Sequence, residues 1–187
     1  MSRGPSLRIL GGELRGRRVR VAGEVRPTEA RVREALFSIW EPRLAGSRFL
    51  DLFAGSGAMG LEAVSRGAAG AVLVDDDPRV LAVLRRNCAE LAPAAAAVLR
   101  RRLPGSPELD LGGPFDLVFA DPPYAFEDYR GLLQAAAGWL TASGELAVEH
   151  SKRVEVDAVE PWIRLDQRRY GECCLSFYRL REPARAS

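Results

Sequence analysis

The 187-residue sequence predicts an α/β fold with a mostly parallel sheet, helices on both faces and a small basic β-hairpin arm at its amino terminus. Three observations carry this. Beyond residue 48, short apolar runs alternate with segments of helical spacing, the pattern of strands joined by crossover helices. A glycine-rich turn follows the first of those strands. The final stretch carries two apolar runs joined near Gly171, a terminal antiparallel hairpin rather than another crossover.

Taken in order, Leu7 to Val21 alternates apolar and basic residues around Gly11, Gly12 and Gly16 and reads as the arm, assigned to residues 1–24. With its glycines and arginines it offers little apolar area to bury, so it is expected to contribute little to stability. Residues 25–187 form the main domain. Thr28 is a helix N-cap, and Val32, Ala35, Leu36, Ile39 and Trp40 fall at helical spacing until Pro42 ends the helix. Phe49 to Phe53 is a strand, and a helix through Leu61, Glu62 and Val64 stops near Gly67. Ala71 to Val74 is a buried strand ending in Asp75, and Pro78 opens a helix to about Leu91. Val98 to Leu99, Phe115 to Ala120 and Glu145 to Glu149 are strands, with a helix from about Asp128 to Leu140. Trp162 to Gln167 and Cys173 to Leu180 form the terminal hairpin.

Composition narrows the class. With 47% hydrophobic and 28% charged residues the chain is ordinary for a soluble globular protein, and no apolar run reaches the roughly 20 residues of a membrane span. The start, MSRGPSLRIL, lacks the apolar stretch of a secretory signal, so a cytoplasmic location is expected. Cys88, Cys173 and Cys174 read as reduced core or strand residues, and with a single His150 no metal site is expected. The net charge is only +2, but the first 48 residues hold eleven arginines against five glutamates. Arg8, Arg15, Arg17 and Arg18 are the candidates for contacting nucleic-acid phosphates.

Two constellations carry chemistry. Gly55, Gly57 and Gly60 follow a strand in G-x-G-x-x-G spacing, with Asp75 at the end of the next strand. Glycine is needed where the chain turns sharply and a cofactor must approach the backbone, and an acid at the second strand's tip can accept hydrogen bonds from ribose hydroxyls. Alone, this fits a nicotinamide dehydrogenase as well as a methyltransferase. Asp51, ahead of Phe53 and the glycines, favours a cofactor with a cationic ammonium and sulfonium, because it would repel an anionic pyrophosphate.

The second constellation is Asp121-Pro122-Pro123-Tyr124, at the carboxyl end of the strand Phe115 to Ala120, where open α/β folds bind ligands. A base amino group is a poor nucleophile because its lone pair is delocalised into the ring. Asp121 and the Pro122 carbonyl can accept its two hydrogens, Pro122 and Pro123 hold those acceptors in place, and Tyr124 offers a face for stacking the base. Asp121, Pro122, Pro123 and Tyr124 are therefore the candidate catalytic residues, and Thr28, Asp51, Phe53, Gly55, Gly57 and Asp75 the candidate cofactor contacts.

These strings resemble the RsmD-type 16S ribosomal RNA (guanine-N2)-methyltransferase family across nearly the whole chain. Arg8-Ile9-Leu10-Gly11-Gly12 with Arg15-Gly16-Arg17 is similar to the family's arm, and Arg26-Pro27-Thr28 through Leu36-Phe37 to its first helix. Asp51 to Gly57, Leu61-Glu62-Ala63 and Ser65-Arg66-Gly67-Ala68 continue the likeness. The resemblance implies a Rossmann-like class I methyltransferase fold with a seven-strand sheet whose last strand is antiparallel, S-adenosyl-L-methionine as cofactor, and 16S rRNA, within a small-subunit particle, as partner. It implies Thr28 near the methionine part, Asp51, Gly55 and Gly57 around it, Asp75 on the ribose and Asp121 to Tyr124 at the base. One departure stands out: where similar enzymes carry an Asp or Asn for adenine after the third strand, Arg100, Arg101 and Arg102 stand here. Three other readings remain. A DNA adenine N6-methyltransferase would need a separate target-recognition domain, a nicotinamide-dependent oxidoreductase would not need Asp51 or the tetrapeptide, and a non-catalytic RNA-binding module would not need Asp121.

Overall fold

A computed structural model describes residues 5–22, 29–105 and 110–182. Ser6–Arg8 (β1) and Arg18–Arg20 (β2) pair antiparallel as a small separate sheet. Glu29–Leu44 (α1) leads into Arg48–Leu52 (β3), Ala58–Ser65 (α2), Gly70–Asp75 (β4), Pro78–Leu91 (α3), Ala96–Arg100 (β5), Phe115–Ala120 (β6), Tyr129–Ala136 (α4) and Leu140–Ser151 (β7). Trp162–Tyr170 (β8) and Cys173–Leu180 (β9) close the chain. The seven strands of the main sheet lie in the order β5-β4-β3-β6-β7-β9-β8, and β9 runs antiparallel to both neighbours. The mostly parallel sheet with its antiparallel last strand agrees with the fold expected from the sequence.

Helices cover both faces because the strands are apolar on both. Leu36, Phe37 and Trp40 of α1, Leu61 of α2 and Leu84 of α3 pack with Phe49, Leu73, Phe119 and Ala147 on one face. Leu132 and Leu133 of α4 pack with Leu50, Val118 and Val148 on the other. Pro42 does not end α1, which runs two residues further. Proline disrupts a helix most in its interior; here it sits in the last turn. That turn is anchored by Trp40 Nε1 and Arg43 Nη1, which donate to the Glu145 carboxylate at 2.9 and 2.8 Å. The helix expected to reach Leu140 stops at Ala136, and Leu140 opens β7.

The arm departs furthest from expectation. Leu7, Ile9 and Val19 are buried in the same core as α1, α2 and α3, so it has a full apolar face. Leu10 N–H and Gly11 N–H each donate at 2.7 Å to the Glu62 carboxylate, which is fully buried in α2. Arg66 Nε donates to the same group at 2.8 Å, and the buried Arg33 lies 3.6 Å from it while its Nη2 donates to the Arg8 carbonyl at 2.6 Å. Gly12, at φ +73°, presses so closely on α2 that a Cβ there would stand 1.7 Å from the Ser65 carbonyl oxygen. On the other side, Asn87 of α3 exchanges hydrogen bonds with Arg20 N–H and C=O.

Candidate active site

The parallel strands β3, β4 and β6 all end on one edge of the sheet, and their tips build the site. After β3 the chain turns through Phe53, Gly55 and Gly57 at φ +57°, +55° and +80°. The left-handed conformation at Phe53, a residue with a side chain, is a local strain of the kind held at ligand sites. Gly57 caps α2 and has a second reason to be glycine: a Cβ would lie 2.5 Å from Leu84 Cδ1 and 2.9 Å from Leu73 Cδ2. Gly60 lets α2 approach β4, since its Cβ would meet Leu73 at 2.8 Å.

Three carboxylates surround this turn. Asp51 is buried, and its Oδ2 accepts from Gly60 N–H at 2.9 Å. Burial pushes its carboxyl well above the usual range; the Gly60 hydrogen bond opposes this, and the charges of Asp121 and Asp75 add to it. Asp75, at the tip of β4, spans the turn, its Oδ2 accepting from Gly55 N–H and its Oδ1 from Asp77 N–H, each at 3.0 Å. Arg101 N–H donates to the Asp75 carbonyl at 3.2 Å, which brings the end of β5 alongside.

Asp121 to Tyr124 leave the tip of β6, where Leu52 and Ala120 are paired, so the tetrapeptide emerges beside the glycine turn. Phe126 N–H donates to the Pro123 carbonyl at 2.8 Å and closes the turn. Tyr124 is 71% exposed, a large aromatic held in solvent at the mouth of the site. Behind it, Phe53, Phe126, Tyr129 and His150 form a chain of edge-on rings with centroids 5.4, 5.1 and 6.2 Å apart. Burial, and then the Asp121 charge, raise the Tyr129 phenol. A cavity of about 10 Å³ lies between Asp121, Pro122, Tyr124, Tyr129 and the end of β7, where Glu149 lines it.

The structure thus brings together Asp51, Phe53, Gly55, Gly57 and Asp75 with Asp121, Pro122, Pro123 and Tyr124. Thr28 lies outside the described residues. Arg8, Arg15, Arg17 and Arg18 are exposed on the arm; Arg8, Arg17 and Arg18 line an open groove of about 690 Å³ with Arg20 and α3. His150 hydrogen-bonds Ser176 Oγ at 2.8 Å and the Ser151 carbonyl at 3.0 Å, and burial lowers its pKa. No group of three or more His, Cys, Asp or Glu side chains able to hold a metal occurs among the described residues. Sequence reasoning does not single out Tyr129 or Glu149; the only signal for Glu149 is that it shares the parity of Ala147, one position past the strand pair aligned with β6.

A family profile described as Conserved hypothetical protein 95 matches residues 7–179. The ribosomal RNA small subunit methyltransferase D of Escherichia coli K12 is 43% identical over 145 residues, 76% of this chain and 71% of that protein. The chain belongs to the RsmD-type methyltransferase family. The putative rRNA methyltransferase YlbH of Bacillus subtilis, another relative, is 31% identical over 94% of this chain and all of its own length. Among solved structures, the putative methyltransferase yhhF of Escherichia coli superposes with a TM-score of 0.82 at 34% identity, covering 96% of this chain and all of that one. The arm from Leu7 onward, the glycine turn and the tetrapeptide all fall inside the matched span of this RsmD-type enzyme. No helix among the described residues is long and apolar enough to cross a membrane.

Proposed function

We propose that this RsmD-type enzyme transfers a methyl group from S-adenosyl-L-methionine to the exocyclic N2 of a guanine in the 16S rRNA of the small ribosomal subunit. The observation that carries the reading is the adjacency of two chemistries on one sheet edge: Asp121 to Tyr124 emerge from β6 directly beside the Asp51 to Gly57 turn of β3.

The residues fit that cofactor. Burial, and then the neighbouring charges of Asp121 and Asp75, raise the cost of ionising Asp51, and a ligand bearing ammonium and sulfonium charges relieves it, whereas a pyrophosphate would deepen it. Gly55 and Gly57 leave their backbone open to close approach. Asp75 accepts from ribose hydroxyls, in place of or alongside its present backbone donors. The arginines at 100–102 supply no side-chain acceptor for an adenine amine, which leaves that contact to backbone groups. When bound, S-adenosyl-L-methionine supplies an already activated methyl group.

The chain's own residues handle the base. Tyr124, exposed at the mouth, stacks on a guanine turned out of its RNA, a contact worth about 1–3 kcal/mol per base. Asp121 Oδ and the Pro122 carbonyl accept the two N2 hydrogens and direct the nitrogen lone pair out of the ring plane, toward the glycine turn. The prolines hold these acceptors in position before the substrate arrives. Arg8, Arg15, Arg17 and Arg18 hold the surrounding RNA by its phosphates.

The test is methylation of unmodified small-subunit particles with labelled cofactor, followed by nucleoside digestion and primer extension. N2-methylguanosine at a single position supports the reading; N6-methyladenosine, or stabilisation by NAD in place of S-adenosylhomocysteine in a thermal-shift assay, refutes it.

A further inference from the structure

We infer that Glu149 is the group that selects guanine, its carboxylate accepting the N1–H that lies next to the reacting amine. The inference rests on the guanine-N2 reading above and assigns a role to a residue outside the tetrapeptide.

Placement comes from the sheet. In the parallel pair β6·β7, Phe119 faces Ala147 and Ala120 faces Val148, so continuing the register sets Glu149 beside Asp121. Side chains alternate between faces along a strand, so Asp121 and Glu149 lie on the face that carries Phe119 and Ala147. Glu149 lines the same cavity as Asp121, Pro122 and Tyr124, and it is only 8% exposed. Its backbone follows directly on Val148, the last residue of β7 paired with β6, and is paired on the other side with Leu175 of β9. The carboxylate therefore sits on a rigid central strand, as a group that must be placed within a fraction of an ångström should. Nearly buried carboxylates are uncommon because dehydration disfavours the charge, and this one adjoins the base acceptors.

The chemistry follows from the base. Guanine presents three hydrogens in a row on one edge, two on N2 and one on N1. Asp121 and the Pro122 carbonyl account for the first two. The third needs an acceptor, and an ionised carboxylate is an acceptor with no donor. Adenine, beside its N6 amine, and cytosine, beside its N4 amine, carry a ring nitrogen lone pair at the corresponding place. Against that lone pair Glu149 is repulsive, so the same group that rewards guanine rejects the other two amines. A site built around a substrate N–H discriminates strongly against an analogue lacking it, because the polar group is then left unpaired.

The decisive analogue is 2-aminopurine, which keeps the N2 amine but has a lone pair at N1. Small-subunit particles are reconstituted with guanine or 2-aminopurine at the target position mapped by primer extension, and kcat/KM is measured for wild type and Glu149→Gln. Wild type should favour guanine by about a hundredfold or more. In Glu149→Gln, whose amide can either accept from or donate to N1, guanine methylation should fall and the ratio should collapse to within a few-fold. S-adenosylhomocysteine binding and the melting temperature of the variant report whether it is folded; should it not be, the wild-type comparison of the two bases can still overturn the inference. Equal use of the two bases by wild type overturns the inference. So does a folded variant whose ratio is unchanged, even if both rates fall, since that marks a structural role. Failure of wild type to methylate guanine at all would instead overturn the function on which the inference rests.

Discussion

Replacing Glu62 with alanine probes the junction between arm and domain without touching the site. The side chain is fully buried, accepts two backbone N–H groups of the arm at 2.7 Å each, and is flanked by Arg66 at 2.8 Å and the buried Arg33 at 3.6 Å. Its removal leaves two part-buried donors without their acceptor, at up to about 1–3 kcal/mol each. It also takes the Glu62 charge away from Arg33, an effect of about 3–5 kcal/mol in buried pairs. The contributions overlap, so the expected total is about 3–6 kcal/mol. For a chain of this size each kcal/mol moves the melting temperature by roughly 2–4 °C, placing the variant roughly 6–24 °C below wild type. Glu62→Gln, which keeps one acceptor oxygen, should fall between. Melting curves followed by circular dichroism give the shift, and S-adenosylhomocysteine affinity measured well below the transition should be unchanged. An alanine variant melting within about 2 °C of wild type would refute the clamp.

Deleting residues 1–21 removes Leu7, Ile9 and Val19 from the core, about 1.5–3 kcal/mol for each buried side chain, against a total stability of about 5–15 kcal/mol; a truncated chain that still melts cooperatively and binds S-adenosylhomocysteine would show the arm to be dispensable. By contrast, the exposed Arg15, Arg17 and Arg18 changed together to Gln should leave the melt unaltered and weaken RNA binding, with a salt slope shallower by roughly 0.7–0.9 for each phosphate that is no longer neutralised; an unchanged slope would remove them from the RNA interface. Asp121→Ala should lower kcat by about a hundredfold or more with cofactor affinity within a few-fold, while Asp75→Ala should weaken cofactor binding by about 1–3 kcal/mol; calorimetry and single-turnover kinetics must show opposite patterns in the two. Tyr124→Phe should retain most activity and Tyr124→Ala should not, because stacking needs the ring and not the hydroxyl; a Phe variant as weak as the Ala variant would give the hydroxyl a role. Burial holds the Asp51 carboxyl above its unfolded range, so its contribution to stability is complete below the unfolded pKa and is lost as pH rises through the folded one. Asp51→Asn should therefore melt above wild type at neutral and alkaline pH, with the difference shrinking in acid; parallel curves for the ligand-free proteins would contradict this.

What is legible in the chain follows from local periodicity. The strand-helix alternation, the start of α3 at Pro78 and the carboxyl-edge position of Asp121 all come from patterns within a few residues, and the structure has them where the patterns put them. The buried polar contacts are different in kind. Glu62 meets Leu10 and Gly11 across more than 50 residues, and Asn87 meets Arg20 across 67; on its own helix each looks like an ordinary surface residue. Glu149 likewise becomes a candidate only once β6 and β7 are in register.

The arm lies between these cases, because its role is written locally but in a pattern that its charge obscures. Leu7 and Ile9 flank Arg8, and Val19 lies between Arg18 and Arg20. That is a period of two, the signature of a strand with one buried and one wet face, and both faces are used: the apolar one enters the core while Arg8 and Arg18 point to solvent. The Arg8-Ile9-Leu10-Gly11-Gly12 string is accounted for by docking to α2, through the Glu62 clamp and the close approach at Gly12 that no side chain could occupy. Structure and RNA contact are therefore not competing explanations of the arm. Anchoring its apolar face is what would hold Arg8, Arg17 and Arg18 as a fixed row of charges, so loosening the Glu62 clamp should weaken RNA binding at temperatures where the rest of the domain is still folded.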